Sequence, residues 1–306
     1  MNKFHIKGML MVIVATSFWG LSGTAAQYLF EQQQAEAGWL ASVRLLLSGI
    51  ILLIYVSLTQ GVKKAFHIWL VKEQAFRLIL FSIFGSLGVQ YTFFASIEEG
   101  NAAVATILQN LAPFFILMYL YFKKAVSPNL VDLFLVFFML SGVFLLLTNG
   151  ALDGLSVSTN AIIWGVLSGC AVAFYTIYPS HLIQEQGSLI VVGWSMLIGG
   201  IGISFVFSPL SINIGQFDII GWGLIIFIVI FGTLISFTLY IVSLSYLSPK
   251  DASLLGCSEP MIAVLSSVGF LHIPFGIFQG LGSVIIIITV IFLSMQNEER
   301  VHRKSL

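Results

Sequence analysis

"ATILQNLAPFF" occupies residues 105–115, and "ASLLGCSEPMI" occupies residues 252–262. Both run Ala-x-x-Leu-x-x-x-x-Pro. Ala105 and Ala252 lie 147 residues apart, and so do Pro113 and Pro260. A second pair, Gly38-Trp39 and Gly193-Trp194, recurs at an offset of 155 in the same order. The chain therefore reads as two related halves, 8–148 and 160–295. Each half has room for five membrane-spanning helices. Five is odd, so the second half enters the membrane from the opposite side. Such inverted repeats build many secondary transporters, whose sites lie near the bilayer midplane between the halves.

The composition demands a membrane. The chain has 306 residues, of which 58% are hydrophobic and 8% charged, with a mean hydropathy of +1.02. Soluble domains carry about 25% charged residues, so lipid must solvate part of this surface. About 20 apolar residues cross the hydrocarbon core as a helix. Ten such spans are expected: 8–30, 37–59, 76–97, 101–122, 129–148, 160–183, 188–207, 219–246, 251–271 and 275–295. The first exceeds the about 7–15 apolar residues of a signal peptide and is kept as a helix. The connections are short and leave no space for a soluble domain. The two cysteines, Cys170 and Cys257, lie in apolar segments and imply no disulfide framework.

Charge sets the expected orientation. Twelve of the thirteen Lys and Arg residues fall on one side. They are Lys3, Lys7, Lys63, Lys64, Lys72, Arg77, Lys123, Lys124, Lys250, Arg300, Arg303 and Lys304. The opposite loops carry Glu31, Glu36, Glu98, Glu99, Asp153 and Asp218, with no basic residue. The positive-inside rule places both termini in the cytoplasm. With zero net charge overall, nothing points to nucleic acid. The expected fold class is an all-α integral membrane protein with ten transmembrane helices as two inverted five-helix repeats.

"FWG" (18–20), "VRLLLSG" (43–49) and the paired proline segments resemble the EamA-domain transporters of the drug/metabolite transporter superfamily, over nearly the whole chain. The resemblance implies ten helices in two EamA repeats, and export of small organic metabolites, amino acids or drugs across a bacterial inner membrane. The second repeat departs from the first. Gly199 stands where Arg44 stands in the first half, and Glu259 precedes its proline where Ala112 precedes the other.

Two ionisable residues lie clearly inside spans, where a charge costs roughly 2.5–3.5 kcal/mol or more. Arg44 is about a third of the way into the second span and Glu259 is midway through the ninth. In one reading they pair, or bind backbone, and lock the bundle. In the other, Glu259 exchanges a proton or binds a cationic group while Arg44 receives a substrate carboxylate. Arg44 also lies near enough to the interface to snorkel. Pro113 and Pro260 should kink their helices and free the carbonyls of Gln109 and Gly256. Freed carbonyls at this depth suit a polar cavity or plain packing. Gln109, Asn110, Gln90 and Tyr91 could line such a cavity or bond between helices. Trp19 and Tyr175 could stack on an apolar substrate or simply pack, and Trp164 reads as an interfacial belt residue.

Other classes find no support. The chain shows no HExxH, no pair of deep aspartates, no P-loop and no Cys/His cluster at ligand spacing, so no metal or cofactor is implied and no enzyme. A receptor without transport activity is the alternative, although no signalling domain accompanies the bundle. A small-molecule substrate, with protons as a candidate coupling ion, and the lipid bilayer are the expected partners. Oligomeric state is open.

Overall fold

The computed structural model describes residues 3–124, 129–151, 155–211, 214–243, 246–247, 252 and 255–305. No strand occurs among the described residues. In lipid every backbone polar group must bond within the chain, and a continuous helix does this locally. The principal helices are α1 (Lys3–Gln33), α2 (Ala37–Gln60), α3 (Lys72–Glu98), α4 (Ala102–Phe122), α5 (Leu130–Thr148), α6 (Thr159–Ile177), α7 (Ser188–Ser204), α8 (219–243), α9 (Ser258–Leu271) and α10 (Ile277–Ser305).

Among the described residues, seven of these helices, α1 to α6 and α8, are long and apolar enough to cross a membrane. The pair Ser180–Gln186 and α7, bent by 117°, makes an eighth if it counts as one span. The apolar stretches Ser258–Leu271 and Ile277–Leu293 are shorter. Residues 244 and 245 of the expected eighth span and 251, 253 and 254 of the ninth lie outside the described residues, as do Asp153 and Lys250 of the charge pattern.

The expected sixth span overran its helix. α6 ends at Ile177 instead of 183, just before Pro179, whose ring cannot continue the ladder. Ser180–Gln186 then lies across the bundle end and buries Leu182 against Ile68, Leu78 and Phe81. Gly187, at φ +87°, makes the corner into α7. The connection between α2 and α3 also folds, as short helices Val62–Phe66 and His67–Trp69. They are pinned by Trp194 Nε1, which donates to the Ala65 carbonyl at 2.7 Å.

Polar residues at helix starts satisfy the orphan N–H groups. Asn101 accepts from Val104 N at 2.9 Å, and Asp218 accepts from Gly221 N at 2.7 Å. Asn129 and Asp132 cap each other reciprocally at the start of α5.

Small residues set the helix pairing. A Cβ on Gly49 of α2 would meet the Leu197 nitrogen of α7 at 2.5 Å, and one on Gly200 would meet the Leu46 nitrogen at 2.8 Å. As one position falls from 49 to 46 the other rises from 197 to 200, so α2 and α7 run antiparallel. α1 and α9 run parallel instead. Thr16 Oγ1 pairs with Ser258 Oγ at 2.7 Å, and Thr24 Oγ1 with Ser266 Oγ at 2.6 Å, eight residues on in both helices. α5 packs on α10 and exposes Leu130, Leu133, Phe134 and Phe137 on its outer side.

Candidate functional site

The break in α9 explains the "SEP" segment. The chain leaves helical geometry at Cys257 and restarts at Ser258. Glu259 and Pro260 therefore stand in the first turn of a helix, not in its middle. Proline is tolerated there because its missing N–H would be an orphan anyway, and the helix dipole favours an acidic side chain at that end. α4 breaks in the same way at Asn110–Leu111, with Pro113 opening the second piece, Ala112–Phe122. The 147-residue offset carries Asn110 onto Cys257, so both breaks fall at the same place.

Helix α1 crosses directly over this new N-terminus. A Cβ on Gly20 would lie 2.8 Å from the Glu259 carbonyl oxygen and 2.9 Å from the Ala263 nitrogen. Only glycine lets the two backbones approach so closely. The Glu259 side chain is partly buried, and its carboxyl has no hydrogen-bond partner among the described residues.

Arg44 is 5% exposed, so it does not snorkel as its position suggested. Its anchor is a π-turn in α8, residues Ile230–Ile235. The Nε of Arg44 donates to Thr233 Oγ1 at 2.7 Å, and Nη2 donates to the Gly232 carbonyl at 2.8 Å. Thr233 Oγ1 in turn donates to the Ile228 carbonyl, five residues back, at 3.0 Å. That proton is thus spent within α8, leaving oxygen lone pairs for the guanidinium. The Arg44 Cζ lies 5.3 Å from the Phe94 ring centroid, a cation–π distance. Nη1 has no partner among the described residues. One turn along the same helix, the buried Ser48 hydroxyl is also unpartnered among the described residues.

Arg44 belongs to the first half of the chain and Glu259 to the second. They are not an ion pair: the pairs within 4 Å among the described residues are Arg77–Glu73 and His181–Glu185. Arg44 joins the first half of the chain to the second through helix α8, and the carboxyl of Glu259 is uncommitted among the described residues.

The remaining candidates disperse. Trp19 sits one residue before Gly20, with its ring 5.4 Å from Tyr240. Gln109 bonds Ser168 of α6 at 2.7 Å, and Asn110 bonds the Thr106 carbonyl of its own helix at 2.9 Å. Gln90 is partly buried. Tyr91 packs on Trp164 at 5.5 Å and Phe207 at 5.8 Å. Trp164 is partly buried and packs on Tyr91 beside Gly165, which lies tight against Leu108. Tyr175 packs on Phe81 at 5.0 Å, toward the other end of α6. The structure thus brings Trp19 and Glu259 to the crossing of α1 and α9, and Arg44 to the π-turn of α8, which also packs on α1. Tyr91 and Tyr175 belong to separate aromatic clusters.

The EamA-like transporter family matches this sequence twice, over residues 6–148 and 159–295. The chain belongs to that family. The uncharacterised inner membrane transporter YicL of Salmonella typhimurium is 38% identical over 297 residues, covering 96% of this chain and 97% of that protein. A solved crystal structure aligns over 96% of this chain and 98% of its own with a TM-score of 0.60; at 14% identity it shows a shared fold. This EamA-like chain is accordingly a multi-pass inner membrane protein of the transporter class, embedded in lipid and acting on a small-molecule substrate.

The two EamA matches differ where the charges lie. Among the described residues each contains one π-turn, Phe81–Leu87 in α3 and Ile230–Ile235 in α8. α7 packs against the first and α2 against the second. At the α7 contact stands Gly199, where an added Cβ would lie 3.2 Å from the Ser82 carbonyl oxygen. At the α2 contact stands Arg44, bonded to the Gly232 carbonyl. One contact is closed by glycine and the other is held by a guanidinium. Thr233, Gly232, Phe94 and Ser48 escaped sequence reading. A π-turn has no compositional mark, and the only cue was a Gly-Thr dipeptide inside an apolar run.

Proposed function

We propose that this EamA-family protein is a secondary transporter that exports small organic metabolites, amino acids or related compounds, or drugs, by alternating access. In this reading residues 8–148 and 160–295 are inverted five-helix repeats that rock about a central site, with both termini in the cytoplasm. The antiparallel crossing of α2 and α7, the matching breaks in α4 and α9, and a π-turn in each half support the duplication. Arg44 Nη1 and Ser48 Oγ offer donors to an anionic group of the substrate. Glu259, at a helix start inside the bundle, is the group that carries a proton or binds a cation.

One observation carries this reading: Arg44 is buried and held by neutral oxygens of the second half with Nη1 unpartnered among the described residues, while Glu259 opens a helix with no partner for its carboxyl among them. The test uses purified protein in liposomes with an imposed pH gradient and a panel of radiolabelled amino acids and organic cations. Wild-type protein should drive net movement of at least one compound. Glu259→Gln keeps shape and hydrogen bonding but cannot titrate. It should insert normally, lose gradient-driven transport and retain substrate exchange. Full gradient-driven transport by Glu259→Gln would end the proton-carrier role.

A further inference from the structure

A cleft of about 290 Å³ opens between α2 and α8, lined by Ile51, Leu52 and Tyr55 on one side and by Leu234, Thr238 and Leu239 on the other. That size is at the lower edge of the about 300–1,000 Å³ of small-molecule sites. Neither proline, nor Glu259, borders it. Its mouth faces outward: Ile51, Ile54 and Tyr55 form an exposed face of α2. Both walls lie within a few turns of the ends of their helices, Gln60 for α2 and Ser243 for α8. By the orientation proposed above, those are the cytoplasmic ends.

We propose that this cleft holds one acyl chain of an anionic phospholipid from the inner leaflet. The walls are mostly apolar and open at hydrocarbon depth, where water is absent and lipid tails are the neighbouring apolar groups. Past the end of α2 the chain turns at Gly61 (φ +90°), and Lys63 and Lys64 are exposed on the short helix Val62–Phe66 beyond that turn. At 1.5 Å per residue the helix rises about 8 Å from Tyr55 to Gln60, so both lysines stand past the cytoplasmic end of α2, on the headgroup side of an acyl chain whose middle lies at Tyr55. Basic residues at that level attract anionic headgroups.

The cleft also touches the charged site. Leu52 and Leu234 wall a second void of about 10 Å³, which reaches Thr233. Leu234 and Ile235 belong to the π-turn that anchors Arg44. A chain seated in the cleft therefore braces the turn on its lipid side while Arg44 holds it from within. The inner-leaflet assignment rests on the proposed orientation; the cleft does not.

The test uses the full-length protein in nanodiscs containing phosphatidylglycerol with a photoactivatable diazirine at mid-chain, or the same probe as phosphatidylcholine. After irradiation, adducts are located by peptide mass spectrometry. Labelling at 51–55 and 234–239 should exceed that at 130–138 of α5, an equally lipid-exposed surface, by several-fold. Thr238→Trp and Ile51→Trp fill the cleft from opposite walls, and each should remove most of the excess. The Lys63→Gln/Lys64→Gln protein should lose the preference for phosphatidylglycerol. Labelling no greater than on α5, or unchanged in both filled variants, overturns the site. Equal labelling by the two lipids overturns the anionic headgroup. Nanodiscs expose both leaflets to the probe, so an inverted protein would still be labelled in the cleft, and failure of the orientation would appear separately.

Discussion

Thr233→Val is the most direct probe of the Arg44 anchor. Valine keeps the branched shape but deletes the hydroxyl, which accepts from Arg44 Nε at 2.7 Å and donates to the Ile228 carbonyl at 3.0 Å. A hydrogen bond to a charged group contributes about 1.5–3 kcal/mol and a neutral one about 0.5–1.5. With Arg44 buried, water cannot replace the lost acceptor. The expected destabilisation is about 2–4 kcal/mol. Thr233→Ser keeps both bonds and should lose no more than about 1 kcal/mol, for one methyl group. Reversible unfolding in mixed micelles, titrated with SDS, measures each variant. A double-mutant cycle with Arg44→Met isolates the bond. In the Arg44→Met background the valine penalty should shrink to the neutral bond alone, a coupling of about 1.5–3 kcal/mol. An equal Thr233→Val penalty in both backgrounds would show that the guanidinium does not depend on this hydroxyl.

Two further outcomes are expected. Gly20→Ala forces a methyl to within 2.8 Å of the Glu259 carbonyl oxygen and 2.9 Å of the Ala263 nitrogen. Both are backbone atoms that cannot swing aside, so α1 and α9 must separate at about 1–3 kcal/mol. The same unfolding assay, with Gly23→Ala as the roomier control at 3.5 Å, should rank Gly20→Ala clearly lower. A reporter fused after Leu306 should read cytoplasmic and a tag in 149–159 external. A periplasmic C-terminus would refute the ten-helix reading.

Hydropathy marked the helices well, because a backbone in lipid has few alternatives to a helix. It marked their ends less well. The apolar run 160–183 reads as one span, yet the helix stops before Pro179, and the bend of 117° follows only at Gly187. The prolines were legible as points of interruption. What they did was not, since a kinked helix and a broken one share the same sequence cue. The consequence for Glu259 is large: an acid in a helix middle is anomalous, whereas an acid in a first turn is favoured. Arg44 was found by charge alone, but its exposure was misjudged. Depth along a helix does not tell which neighbour covers a side chain, and α8 covers Arg44 through a π-turn that composition does not reveal.

The guanidinium of Arg44 has a consequence for ion leakage. A protein whose halves part to pass a solute risks opening a path for sodium or protons. Arg44 is held by neutral oxygens at 2.7 and 2.8 Å, which orient its charge without cancelling it. A monovalent cation about 8 Å away, at an effective dielectric constant of about 20, meets a repulsion of about 2 kcal/mol. That lowers its local population roughly thirty-fold. A carboxylate in place of Thr233 would anchor the arginine more tightly and abolish this barrier. If the halves rock as proposed, the hydroxyl and the carbonyl leave that charge uncancelled at the contact of α2 with α8, where it opposes small cations.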